Sequence, residues 1–357
     1  MYKEFKIKNF KCFSDFSIDS FERVNLIAGE NCVGKTAFLE ALFIHCGAYN
    51  PGLTFRIDSL RGVKVVNFDN FKETPWDHLF NDFNTSKGIV LFGKTDNKEE
   101  RELHLRIVDK QNELKEIINT KDTDIEETES ASISTNIIKT LELMSKDEKK
   151  REHISFIFIH KQKIHNINVI APPFPAQYVS NRIQISDEII NYFSAIEKVG
   201  KQRIVLNVIK VVEKRLKRLT NITIGKDTVI YGDIGLNQLV PISYMGSGIT
   251  RLLSVILAIA NNNNGIVLID EIENGFHHGI MKKVWQAIGK AARDFNVQVF
   301  AVTHSRECVV AAHQAFSEND VYDFRYHRLD KIKGVIKAVN YNQEIMQAAI
   351  EANFEVR

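Results

Sequence analysis

The sequence predicts an α/β protein with a largely parallel sheet, an antiparallel β region and a helical insertion. Three observations predict it. An apolar run over 23–28 stops at a glycine and leads into a helical pattern over 36–46. Two later strand–helix units have short, continuously apolar strands, the pattern of a parallel sheet covered on both faces. Between these regions lie stretches of strand composition joined by turn residues. The 357 residues, 44% hydrophobic and 26% charged, have globular composition and make one large or two ordinary domains.

Taken in order, residues 2–9 have strand composition, and so do 88–94 and 101–110, joined by the turn Thr95-Asp96-Asn97. Residues 113–129 carry seven acids against two bases and run into a serine-rich stretch over 130–135, so they read as an exposed loop. A β-like stretch over 155–171 ends at Pro172-Pro173 and Pro175, a boundary signal. Residues 186–220 read as helical. Then come a helix over 249–260, a turn over 261–264, a buried strand over 265–269, a helix over 280–294 and a strand over 297–302. The expected organisation is an N-terminal lobe over 1–170, a helical region over 171–225 and a C-terminal lobe over 226–357.

Several function classes are excluded early. With 47 Lys plus Arg against 45 Asp plus Glu there is no global nucleic-acid or membrane signal. The longest dense apolar run, 252–260, is far short of a membrane span. The first six residues alternate charge with aromatics and hold no signal-peptide core. Cys12, Cys32, Cys46 and Cys308 are scattered without paired spacing, as in a reduced, cytoplasmic protein. One local signal remains, eight bases against one acid over 198–218. On a helix, Arg203, Lys210, Lys214 and Lys217 fall within an arc of about 60°, opposite Val205, Val208, Ile209, Val212, Leu216 and Leu219. That face is either solvated or a contact for a nucleic-acid backbone. A second basic stretch, 325–337, is equally ambiguous.

The strongest motif is Gly29-Glu30-Asn31-Cys32-Val33-Gly34-Lys35-Thr36, followed by Ala37. It fits the phosphate-binding loop G-x-x-x-x-G-K-[ST] at every fixed position, with a strand before it and a helix after it. Glycines let backbone N–H groups curl around phosphate, and the helix start adds partial positive charge. Lys35 is expected on the β- and γ-phosphates of ATP, and Thr36 on Mg²⁺.

Such a loop needs a carboxylate at the end of a neighbouring strand. Residues 265–269 lead directly into Asp270-Glu271. Asp270 is expected on the metal side, and Glu271, just beyond the strand, beside the attacking water. The next strand ends Val302-Thr303-His304-Ser305, which places His304 where open α/β sheets bind ligands.

The series Ile7-Lys8-Asn9-Phe10-Lys11-Cys12-Phe13, the phosphate loop, Gly246-Ser247-Gly248, Asp270-Glu271 and His304 resembles the ABC-type ATPases of the SMC, RecF and OLD group. Within it the chain is similar to the stand-alone AAA family ATPase branch, a P-loop NTPase fold with an ABC-ATPase-like mixed sheet. The resemblance implies that Ser247 and Gly248 contact the γ-phosphate held by a second protomer. It implies Glu271 as catalytic carboxylate, with Lys35, and His304 as switch histidine. It also implies Asn274-Gly275 in a loop crossing the dimer interface, and Phe10, Lys11 and Phe13 near the base. Gly246 stands where many members have serine, and Ile249 where a polar residue is common.

No sustained heptads provide a coiled-coil arm. Only 53 residues follow His304, too few for the Toprim nuclease of OLD proteins. Asp122-Thr123-Asp124 sits in a polar stretch with no strand before it, and no zinc-ligand spacing appears. What the resemblance implies is an ATPase with Mg²⁺, forming a homodimer or higher homo-oligomer around nucleotide. It controls a separately encoded nuclease or toxin, as in antiviral defence. The alternative is a nucleotide-gated DNA-repair clamp of the RecF kind, acting without an effector.

Overall fold

The computed structural model describes residues 1–62, 74–108, 140–160, 163–172, 174–181 and 187–352. The acidic stretch 113–129, the serine-rich run and Asp122-Thr123-Asp124 lie outside the described residues. Strands and helices are numbered below in chain order. The chain forms two compact units that interleave along the sequence. One unit comprises Met1, Asp19–Leu39 and Pro175–Arg357; the other comprises Tyr2–Ile18 and Glu40–Phe174.

The first unit is built on a six-stranded sheet ordered β16-β15-β3-β14-β13-β9. Its strands are β3 (Val24–Gly29), β9 (Ala176–Val179), β13 (Ile266–Ile269), β14 (Gln298–Val302), β15 (Phe324–Ile332) and β16 (Val335–Tyr341). All run parallel except β16, which pairs antiparallel with β15 at one edge. β3, β13 and β14 are buried at every residue, the physical reason their sequences are mostly apolar rather than alternating; the exceptions, Asn25 and Gln298, are buried and hydrogen-bonded. The side-chain period of two still sorts them. Val267, Ile269, Val299 and Ala301 join a core with helices α5 (Ser247–Asn261), α6 (Met281–Asp294) and α7 (Arg306–Ser317). Phe300 turns the other way, 5.0 Å from the ring of Phe21 and 6.3 Å from that of Phe38 on helix α1 (Lys35–Cys46). Both faces are therefore covered, as expected.

The helical region differs from its expectation. It is two short helices, α3 (Asp187–Lys198) and α4 (Gln202–Ile209), separated at Gly200 with φ +70°. A left-handed residue ends a helix, and glycine takes that conformation without a Cβ clash. Beyond Ile209 the chain turns, and the β-branched run becomes β10 (Arg218–Ile224), paired with β11 (Asp227–Asp233), which pairs with the short β12 (Val240–Pro241). The expected apolar side is buried at Val205, Val208, Ile209, Leu216 and Leu219. The basic stripe is not formed: Arg203 is on α4, Lys210 caps it, and Lys214 and Lys217 lie past its end. The stretch 325–337 is the β15–β16 hairpin, in which Arg325 pairs with Glu22 and Arg328 with Asp330. A last helix, α8, spans Gln343–Glu351.

The second unit is a seven-stranded sheet ordered β2-β1-β4-β5-β6-β7-β8. Its strands are β1 (Tyr2–Phe10), β2 (Phe13–Asp19), β4 (Ile89–Thr95), β5 (Glu100–Val108), β6 (Thr140–Lys146), β7 (Glu152–His160) and β8 (Lys163–Ile167). The expected hairpin is the antiparallel pair β4–β5, with Lys94 opposite Glu100, and the stretch 155–171 divides into β7 and β8. Phe10 and Phe13 are buried in this unit's core. Lys11 does not stand ready for a ligand: its Nζ lies 2.7 Å from Oε2 of the buried Glu40, which also binds Arg61 of helix α2 (Leu53–Leu60). No helix among the described residues is long and apolar enough to cross a membrane.

Candidate nucleotide site

The phosphate loop joins the carboxyl end of β3 to the first turn of α1. Gly29 has φ +142° and Gly34 φ +100°, conformations that favour glycine, and Cys32 also takes positive φ, +61°. A Cβ on Gly29 would lie 2.4 Å from the backbone oxygen of Leu329 on β15, so the loop starts where two strands leave no room for a side chain. Lys35 curls back over the loop, donating from Nζ to the carbonyl oxygens of Gly29 and Glu30, each at 2.7 Å. It is 4% exposed. Burial lowers the pKa of this ammonium, opposed by Glu273 first and then by Cys32, Asp270 and Glu271.

β13 lies two strands from β3, across β14, and brings the acidic pair to the same sheet edge. The Thr36 hydroxyl donates to Oδ1 of Asp270 at 3.2 Å, and the Tyr178 hydroxyl donates to Oδ2 at 3.3 Å. A hydroxyl and a carboxylate oxygen converging in this way are the hard donors that Mg²⁺ takes, so the residues fit that ion. Lys35 and the loop amides fit a polyphosphate. Glu271 adopts φ +45°, uncommon for a residue with a long side chain. Its Oε2 accepts from Asn181 Nδ2 at 3.2 Å and Asn274 Nδ2 at 2.6 Å. These amides hold the carboxylate just beyond the strand end.

β14 carries the third component. Oε1 of Glu273 accepts from the backbone N–H of His304 at 2.7 Å, while its Oε2 is buried and has no hydrogen-bond partner among the described residues. Burial holds the His304 imidazole below its ordinary range; Lys35 adds to the effect, and Glu273 and Glu271 oppose it. That favours the neutral ring, which can donate from one nitrogen and accept at the other. Ser305 caps α7, its side chain accepting from Cys308 N.

Lys35, Thr36, Asp270, Glu271 and His304 thus meet at the carboxyl ends of β3, β13 and β14. Ser247 and Gly248 share none of these hydrogen bonds. They open α5, after Gly246 at φ +110°, and Ser247 is exposed, its hydroxyl 3.4 Å from the carbonyl oxygen of Gly275. The sequence reading did not find Tyr178, Asn181, Glu273 or Arg251. Arg251 is 1% exposed on α5, and its NH2 donates to the Asp270 carbonyl oxygen at 2.7 Å while NH1 donates to that of Ser180.

The chain is similar to known proteins in sequence and in fold. The family model described as "AAA domain, putative AbiEii toxin, Type IV TA system" matches residues 24–309. A Helicobacter pylori protein described as "ATP/GTP phosphatase" is 25% identical over 354 residues, covering 90% of each chain. The SMC head solved in complex with the C-terminal winged-helix domain of ScpA shares the fold, with a TM-score of 0.52 and 13% identity over 97% of this chain and 99% of that one.

Proposed function

The chain belongs to this AAA-domain family and is an ATPase of the AAA/SMC-like type, and from that premise we propose a switch that closes as a homodimer around ATP and Mg²⁺ and controls a separate effector. The observation that carries the proposal is the division of the site. Binding and hydrolytic groups gather within one chain at Lys35, Thr36, Asp270, Glu271 and His304, whereas Ser247 is exposed and Gly248 half-buried at the start of α5. Tyr244, three residues before Ser247, is 82% exposed, a large aromatic of the kind interfaces cover.

In this reading Lys35 and the loop amides bind the phosphates, and Thr36 with Asp270 would hold Mg²⁺, which would supply charge neutralisation. Glu271, oriented by Asn181 and Asn274, takes the proton of the attacking water. His304 orders that water or the γ-phosphate from the adjacent strand. Ser247 of the second protomer completes the site, so closure reports the γ-phosphate and opening follows its loss.

Effector control is supported by the family description, which names a putative toxin and a toxin–antitoxin system. Nucleic-acid contact through Arg203, Lys210, Lys214 and Lys217 has weaker support, because these side chains do not share one helical face.

Glu271→Gln tests the proposal. ATP binding should persist, turnover should fall at least a hundredfold, and an ATP-dependent dimer should accumulate in size-exclusion chromatography. Wild-type turnover, or a monomer at saturating ATP, overturns it.

A further inference from the structure

We propose that Arg251 is the positioning residue through which contact at Ser247 sets the geometry of Glu271. The inference rests on the nucleotide-site reading above, and its test separates the two. β9 and β13 run parallel with Val179 opposite Ile269, and the pairing ends where Asp270 N donates to Val179 O at 3.0 Å. One residue further the strands part, and the carbonyls of Ser180 and Asp270 have no ladder to enter. A single guanidinium takes both. The residues that follow these two carbonyls are Asn181 and Glu271, the pair joined at 3.2 Å. Arg251 therefore grips both chains immediately before the carboxylate and the amide that orients it.

Two further observations make this more than a buried side chain satisfying two carbonyls. Glu271 is held at φ +45°, a conformation that persists only where its surroundings over-determine it. Arg251 fixes the peptide oxygen on its N-terminal side, and Asn274 fixes its carboxylate. Arg251 also sits on α5, one turn after Ser247 and Gly248 open that helix. A rigid helical turn then connects the group exposed for a partner to the backbone that aims the hydrolytic carboxylate. The guanidinium reaches backbone oxygens and not the carboxylates themselves, so it positions and does not react. Its Nε has no partner among the described residues, so the residue is not held by the full hydrogen-bond set that a purely structural arginine would make. Lysine cannot substitute fully, since one ammonium does not reproduce a planar fork spanning two carbonyls.

The experiment measures turnover and nucleotide affinity separately in Arg251→Lys, Arg251→Met and Ser247→Ala, with Glu271→Gln in parallel. Expected for Arg251→Met is a loss of at least tenfold in kcat with the Kd for a fluorescent ATP analogue within twofold of wild type. Arg251→Lys should recover part of that loss. Ser247→Ala should lower kcat in the wild-type background and have little further effect in Arg251→Met. Additive losses for Ser247→Ala and Arg251→Met, or an unchanged kcat in Arg251→Met, overturn the proposal. If Arg251→Met does not fold, Arg251→Lys decides: a proportional loss of binding and turnover marks a structural residue and overturns it too. Full activity in Glu271→Gln removes the underlying nucleotide-site reading instead, whatever the arginine variants do.

Discussion

The Thr36 hydroxyl donates to Oδ1 of Asp270 across 3.2 Å, joining two motifs separated by 234 residues. Both oxygens are suited to one divalent cation, so removing either should be felt in metal dependence before nucleotide affinity. Asp270→Asn and Thr36→Ala should each raise the Mg²⁺ concentration for half-maximal turnover by about tenfold or more, as loss of a cation ligand does. A magnesium titration of ATPase activity checks this, and an unchanged midpoint in both variants removes the metal assignment.

Lys35 gives a contrasting outcome. Its ammonium spans the loop through two carbonyl contacts and is nearly buried. Lys35→Ala should therefore remove nucleotide binding itself, not only turnover. Calorimetric titration with ATP in the presence of Mg²⁺ should show no saturable heat. Binding within threefold of wild type would place the phosphates elsewhere.

Gly29 is where fold and site meet. Its φ of +142° and the 2.4 Å approach of any Cβ to Leu329 O forbid a side chain without moving β15. Gly29→Ala should destabilise the protein by about 1–3 kcal/mol, the range for a residue held in a disfavoured conformation, and should also weaken nucleotide binding. Thermal unfolding with and without ATP measures both effects.

Acid should weaken the fold in a defined window. Burial holds His45 and His327 each at about 4, below their ordinary 6.5. His45 is locked neutral, with Tyr2 OH 2.6 Å from Nδ1 and the Arg101 carbonyl 3.2 Å from Nε2; the Arg101 charge lowers its pKa further. Around His327, Asn340 and Asp19 favour the proton and Arg325 opposes it. The folded values lie below the unfolded one, so the unfolded chain binds protons first. Stability is complete above about pH 6.5 and falls toward pH 4, by up to about 1.4 kcal/mol per pH unit for each histidine. Chemical denaturation from pH 7.5 to 4.5 should show that slope, reduced in His45→Gln.

The strand–loop–helix at 24–46 and the strands at 266–269 and 298–302 were legible because buried parallel strands leave continuous apolar runs. β9 was not, since four residues after Pro175 carry no periodicity, and its place is set by pairing with β13. The helix expected through residue 220 failed at Gly200 and at the β-branched run 218–224, where pairing with β11 outweighed helical spacing. Lys35, Thr36, Asp270 and Glu271 were legible from local motifs. Asn181, Tyr178 and Arg251 act through contacts from distant parts of the chain, which spacing does not encode.

Ser247 provides the sharpest prediction, because its role differs between one chain and two. It is exposed at the start of α5, its hydroxyl 3.4 Å from the Gly275 carbonyl oxygen, while Lys35 opens α1 after the loop from β3. If the hydroxyl serves nucleotide held by the partner, Ser247→Arg and Lys35→Ala each inactivate a homodimer at both sites. Mixed as equal amounts of monomer, half of the dimers combine the two variants, and each of these holds one site with an intact lysine and an intact serine. The other site carries both lesions. Turnover of the mixture should recover to about a quarter of wild type, the statistical value for a two-fold symmetric pair. A serine acting within its own chain gives no recovery, because every protomer then has one broken site. Measuring ATPase activity across mixing ratios distinguishes the outcomes, and a flat baseline would return Ser247 to a role in starting its helix.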